Sequence, residues 1–266
     1  MEPVNATVTS RWTTVAELVR QFAVGGLAGM VSGFLVAGVG GRLAMRLIAM
    51  VAPDNRIGLR TEGGAIVGEV TLSGTVDFLA FIGLGSGAFA ATLLVALWPW
   101  LSRWSPHLRP LALGVFALAV SGMDVIELEN PDFFISGNEM FSVLLLASLF
   151  ILWGYTAIWF RSVFERRFAS DSRRWTIVYA VIVAVGIPLY LGFSTILFDE
   201  TTNTPTAVAI SVAVLYLCAL GLWALRIWAN GAAITKTIRA IGYAAIGVAL
   251  IVGLSKLVTD AITIIT

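Results

Sequence analysis

Charged residues stand at five places where a strongly apolar chain has little use for them. Arg42 and Arg46 follow the glycine-rich run "GGLAGMVSGFLVAGVG" one helical turn apart, Asp124 interrupts a later apolar run, and Lys256 and Asp260 sit one turn apart near the end. Residues i and i+4 of a helix share a face, so each pair acts together. An ionised group in hydrocarbon costs a few kcal/mol and usually faces a bundle interior or a wet cavity, where it finds a partner. The chemistry on offer is therefore recognition of a small charged solute or ion by an outward polar cluster of Arg42, Arg46, Asp124, Lys256 and Asp260. Glu62 and Glu69, from the first outer loop, are its expected cap contacts. A plainer reading lets the two arginines snorkel to headgroups, leaves Lys256 and Asp260 as a local pair, and ends the third helix at Asp124.

Composition sets the solvent around these residues. The chain has 266 residues, 58% of them hydrophobic and 12% charged, and its mean hydropathy of +0.91 does not suit a soluble globule. A net charge of +1 with no concentrated basic face gives no reason to expect nucleic acid. The single cysteine, Cys218, excludes a disulfide framework, and the single histidine, His107, lies beside Pro106 in a polar link, where it cannot assemble a metal site. No paired carboxylates and no serine–histidine set stand out, so catalysis is disfavoured and no cofactor or metal is expected.

A membrane span needs about 20 apolar residues at ~1.5 Å each. On that rule the apolar segments are 22–41, 78–100, 109–126, 140–160, 175–197, 206–228 and 238–260. The fold class is all-α: a polytopic transmembrane bundle of seven spans in one integral membrane domain covering 1–266. Residues 1–21 read as an amphipathic segment lying on the cytoplasmic surface, with Thr9 or Ser10 as its cap. Residues 52–77 read as an outer cap loop, in which "AIVGEVTL" suggests a short β-hairpin. Pro188 predicts a kink in the fifth span.

With seven alternating spans, twelve of the 17 basic residues fall on one side and twelve of the 16 acids on the other. Basic residues accumulate in cytoplasmic loops, so the amino terminus is placed inside and the carboxyl terminus outside. Eight of the nine tryptophans collect at the cytoplasmic boundary, Trp153 being the exception, as indole rings at headgroup level would. The expected location is a bacterial plasma membrane, with the lipid bilayer as the obligatory partner.

Gly25, Gly29, Gly33, Ala37 and Gly41 recur every four residues, and Gly83, Gly87 and Ala91 repeat the spacing. Such stripes let membrane helices approach closely. The first two helices are expected to touch along them, although a homodimer seam or a membrane-protein partner would use the same feature. "GVGGRLA" is not a dinucleotide loop, because it lies inside an apolar run and Leu43 occupies the last motif position. Seven spans with a lysine in the last invite comparison with the microbial rhodopsins. That comparison stops at Lys256, which lies in the outer third beside Asp260 and lacks an aromatic pocket motif. The function expected is a small-solute or ion transporter or binding protein. Its alternative is a non-catalytic scaffold, assembly or sensor protein that takes a partner on the glycine-striped helices and outer loops.

Overall fold

The computed structural model describes the chain except for residues 1–3, 54, 56, 60–65, 67–68, 70, 128–132, 134–136, 169–172, 195–203 and 229–231. The side chains of 4–12, 173, 187, 189–194 and 232 also lie outside the description. Among the described residues the molecule is helical, with no strand.

The first rod contains α1 (Val4–Gly33), a π-helical stretch (Phe34–Gly40) and α2 (Gly41–Val51). The second contains α3 (Leu72–Phe78), a shorter π stretch (Leu79–Gly83) and α4 (Leu84–Leu101). Next come α5 (Leu108–Ser121) with a 3-10 turn (Gly122–Asp124), α6 (Glu139–Arg167), α7 (Arg173–Ser194), α8 (Thr206–Trp228) and α9 (Ala232–Ile265). Five rods are long and apolar enough to cross a membrane: Thr13–Val51, Leu72–Leu101, Glu139–Arg167, Thr206–Trp228 and Ala233–Ile265. They make the chain compatible with an integral membrane protein. The described apolar part of α7, Arg174–Gly186, is shorter, and Pro188 lies inside that helix.

Local chemistry explains several boundaries. α1 runs unbroken from Val4 into the first span, so the segment read as a separate surface helix continues straight into the rod. The second rod starts at Leu72, inside the stretch read as cap loop, because the Thr71 hydroxyl accepts the Gly74 N–H at 3.1 Å and caps it. Of the hairpin residues, 65, 67, 68 and 70 lie outside the description, and the described part makes one turn, Glu69 N–H to the Ile66 carbonyl at 3.1 Å. α6 is capped by the Asn138 side chain, which accepts the Phe141 N–H at 3.2 Å. Gly137 just before it has φ +62°, and a Cβ there would strike the Pro53 ring, so the first and third links meet at this end.

The core forms where backbones come closest. α1 and α4 run antiparallel: Gly29 lies on the Ala91 backbone, and a Cβ on Gly33 would stand 2.6 Å from the Gly87 Cα. One turn later the contact residue is Gly38, 2.9 Å from the Gly83 Cα on the same measure, and Ala37 is displaced from the seam. The π stretch is the cause. Gly41 N–H donates to the Val36 carbonyl, five residues back, and Leu84 N–H to the Leu79 carbonyl in the facing rod, so each wide turn inserts a residue and shifts the register. Gly41 then faces the Phe78 ring at ordinary contact distance.

The remaining helices repeat the device. Gly154 of α6 lies against the Pro110 carbonyl, Gly253 of α9 against the Ala119 carbonyl, and Gly242 against the Trp100 indole. Between them sits an apolar core that includes Leu93, Leu97, Leu113, Phe116, Val212 and Leu215. The contacts place the amino ends of α1, α5, α7 and α9 with the carboxyl ends of α4, α6 and α8. That end carries most of the arginines and is the basic end of the bundle. The opposite, acidic end holds Asp124 and Asp260.

Two glycines separate packing from helix propensity. Gly29→Ala puts a methyl into the Ala91 backbone and should lower stability by about 1–3 kcal/mol. Gly247→Ala meets nothing within 4 Å and should be neutral or gain up to about 1 kcal/mol. Denaturant titration of the purified variants in micelles checks the opposite signs.

Candidate functional site

At the acidic end the last helix carries its own ion pair. Lys256 Nζ lies 2.6 Å from Asp260 Oδ2, one turn along α9, with Asp260 only 6% exposed and the lysine half-buried. The spacing lets one helix satisfy both charges, and α9 packs on α5 just before them: Gly253 meets Ala119 and Leu257 lies 3.4 Å from the Cβ position of Gly122. α5 ends in the 3-10 turn at Asp124, on the same seam. The Asp124 carboxylate accepts the Thr204 hydroxyl at 2.9 and 3.1 Å, joining the end of α5 to the link before α8.

Arg42 and Arg46 stand on a different rod from the Lys256–Asp260 pair. They stand on α2, which packs against α6 and the first π stretch, whereas Lys256 and Asp260 stand on α9 against α5. Arg46 is exposed. Arg42 is half-buried, and its Nε is buried without a hydrogen-bond partner. Glu69 is exposed in the link before α3, and Glu62 lies outside the described residues. Of the packing glycines, Gly25, Gly29 and Gly33 face α4 or α6, Gly83 and Gly87 face the first rod, and Gly41 faces Phe78.

The strongest electrostatic cluster lies at the basic end, among arginines whose pattern in the sequence points only to topology. Arg161, 2% exposed in α6, is the buried cation of the group. Its Nη2 pairs with Glu165 Oε1 at 2.8 Å, and its guanidinium carbon stands 3.5 Å from the Trp98 ring centroid. Arg109 approaches the same indole at 5.9 Å, so Trp98 has two cations at its ring. Gly25 clears the space: a Cβ there would lie 2.8 Å from Arg161 Nη1. On α1, Arg20 grips Glu17 through two hydrogen bonds of 2.8 Å, and Gln21 adds a third at 2.9 Å. Glu17 also feels the charge of Arg161, and Arg20 that of Glu165, so four alternating charges tie α1 to α6. Phe160, Phe164 and Phe168 stack along α6 at 5.8 and 5.5 Å, and Phe168 continues to Tyr179 of α7 at 5.9 Å.

Sequence signals for this cluster existed. Arg161 and Glu165 have the spacing of a helix ion pair, and Glu17 and Arg20 have the i,i+3 spacing. Only folding shows that Gly25 and Trp98 bury one of those arginines. Comparison with known proteins finds no matching family model, no matching curated protein and no matching solved structure.

The Arg161–Trp98 contact is testable as a coupling. Arg161→Met and Trp98→Leu should each destabilise the chain, and the double variant should lose less than the sum by about 0.5–2 kcal/mol. Unfolding titrations of the four proteins in one detergent measure that coupling.

Proposed function

We propose that the chain is a seven-span membrane protein that binds and conducts or carries a small charged solute or ion through the polar groups of its acidic end. The observation that carries the reading is the Lys256–Asp260 pair, whose carboxylate is buried inside a long apolar helix. Lining a fold does not require ionised groups there, and a leucine pair would pack without the desolvation cost. Charges kept at such positions mark ligand and ion paths by default. Asp124 and Thr204, at the same end of the adjacent helix, offer acceptor and hydroxyl groups for a passing cation or ammonium.

α5 with its 3-10 turn and α7 supply the remaining spans, and the alternating rods put the amino terminus in the cytoplasm if the basic end lies inside. A scaffold that receives a partner on the glycine stripe is the weaker reading. Gly29 and Gly33 already face Ala91 and Gly87 of the same chain, which leaves a partner helix no room on that seam.

Cysteine labelling tests the pathway without knowing the solute. In a Cys218→Ser background, Lys256→Cys and Asp124→Cys should react with a membrane-impermeant charged maleimide added from the acidic end only. Ile251→Cys, at an apolar position 70% exposed on the outside of α9, should stay unlabelled. Absence of labelling at 124 and 256 from both sides overturns the pathway. Epitope tags reachable from the same compartment at both termini would overturn the seven-span count.

A further inference from the structure

Two cavities open at the basic end, far from the acidic-end pathway and independent of it. One, of about 190 Å³, lies between α4, α8 and α9, lined by Pro99, Leu222, Trp223, Arg226, Thr235 and Arg239. The other, of about 290 Å³, lies between α1 and α8 and is lined by Thr13, Thr14, Glu17, Leu18 and Gln21, with Arg226 on its wall as well. Arg226 therefore stands between the two.

The charge around the first cavity is one-sided. Arg239 lies within electrostatic reach of Arg103 and Arg226, both like-charged. None of the three forms an ion pair among the described residues. Glu17, the acid of the second cavity, is already held by Arg20 and Gln21. Arg239 Nε is buried with no hydrogen-bond partner, as are Arg42 Nε and Arg161 Nε, but Arg161 has a carboxylate on its Nη2, whereas Arg239 lines a cavity beside two like charges with no acid paired to it. The backbone there is fixed: the Trp100 indole donates to the Arg239 carbonyl at 3.1 Å, and Gly242, one turn on, seats that indole. The backbone that carries Arg239 is thus fixed beside the cavity.

We infer that this cavity is a binding site for a phosphate-bearing anion, held between the Arg226 and Arg239 guanidiniums with Arg103 adding charge from the link after α4. Planar guanidiniums match phosphate oxygens in paired hydrogen bonds, and a basic pocket between helices at one membrane boundary is the expected form of a headgroup site. Arg226 lies two residues before the end of α8, and Arg239 about 10 Å along α9, which is headgroup depth. Leu222, Leu225 and Trp223 give the cavity an apolar side against which an acyl or glycerol moiety would lie.

The shared chemistry is a phosphate group, and a phospholipid headgroup and free phosphate are its two sources. The test is the thermal midpoint of the purified full-length chain in dodecyl maltoside, titrated with dioctanoyl phosphatidylglycerol, dioctanoyl phosphatidylcholine and inorganic phosphate. A saturable rise with phosphatidylglycerol and none with phosphatidylcholine supports the site with a lipid headgroup as ligand. An equal rise with inorganic phosphate supports it with a soluble one. Arg226→Gln should weaken binding about tenfold, the share of one charge-assisted contact, and Arg226→Gln with Arg239→Gln should abolish it. Arg226 is exposed, so its single variant keeps the fold and decides the matter alone if the double variant does not fold. Equal rises with phosphatidylglycerol and phosphatidylcholine, no rise with either phosphatidylglycerol or inorganic phosphate, or wild-type affinity in Arg226→Gln would overturn the inference.

Discussion

Helices in lipid gain almost nothing by hiding apolar side chains from one another, since the acyl chains are as apolar as leucine. What holds them is close approach, and close approach needs residues without bulk. The α1–α4 seam carries that constraint most fully. Gly29 against Ala91, Gly33 against Gly87 and Gly38 against Gly83 bring two backbones nearly into contact, and dispersion acts over the whole length of the line. The rest of the bundle builds outward from this pair: α6 crosses α1 where Gly25 leaves room for Arg161, and α5 joins through the Gly114 and Gly154 contacts with α6. Larger residues at the seam would move Trp98 and Arg161 apart as well as separating two rods.

The π stretches are the point at which that line bends to circumstance. A strict four-residue repeat drifts around an α-helix, because 3.6 residues make a turn and four overshoot it by about 40°. Over three repeats the small residues would leave the partner. Inserting one residue in each rod at the same level, Phe34–Gly40 opposite Leu79–Gly83, turns the helices back and puts Gly38 against Gly83. π turns have poorer hydrogen-bond geometry, and they persist here because the two wide turns pack on each other.

Much of this was legible in the residues. Apolar runs mark the rods, and the scatter of arginine and acid marks the alternation of their direction. An end of α5 at Asp124 is open in the sequence as the plainer reading, since a carboxylate interrupts the apolar run there, but the Thr204 hydroxyl that bonds it carries no such mark. Other features belong to packing and leave no local mark. Ala37 and Gly38 are both small, and only the facing rod decides which one meets it. Arg161 reads like any arginine near a helix end, and its burial depends on Trp98 from another helix and on the absence of a side chain at Gly25. Which neighbours Arg42 and Arg46 on α2, and Lys256 and Asp260 on α9, pack against is likewise tertiary. A depth count along separate helices puts them at one level and says nothing about which neighbours stand between them.

The arginines of the basic end meet three different fates, and the difference is physical. Arg161 is enclosed, its Nη2 on a carboxylate and its face on an indole, with Nε left without a hydrogen-bond partner. Arg109 turns back on its own link, donating to the Trp104 and Ser102 carbonyls at 3.0 and 2.8 Å, and so holds the short connection between the second rod and α5. Arg103, Arg226 and Arg239 receive no such answer from the described chain, although they stand close enough to repel one another. Under the proposed topology, sorting of positive charge to one side of a membrane would account for the presence of all five. It does not by itself account for Arg239 standing about two turns inside α9 with its Nε buried, because a residue needed only for topology sits equally well in the hydrated link. A cation at headgroup depth, beside a cavity and two further cations, gains most when an anion fills the space between them.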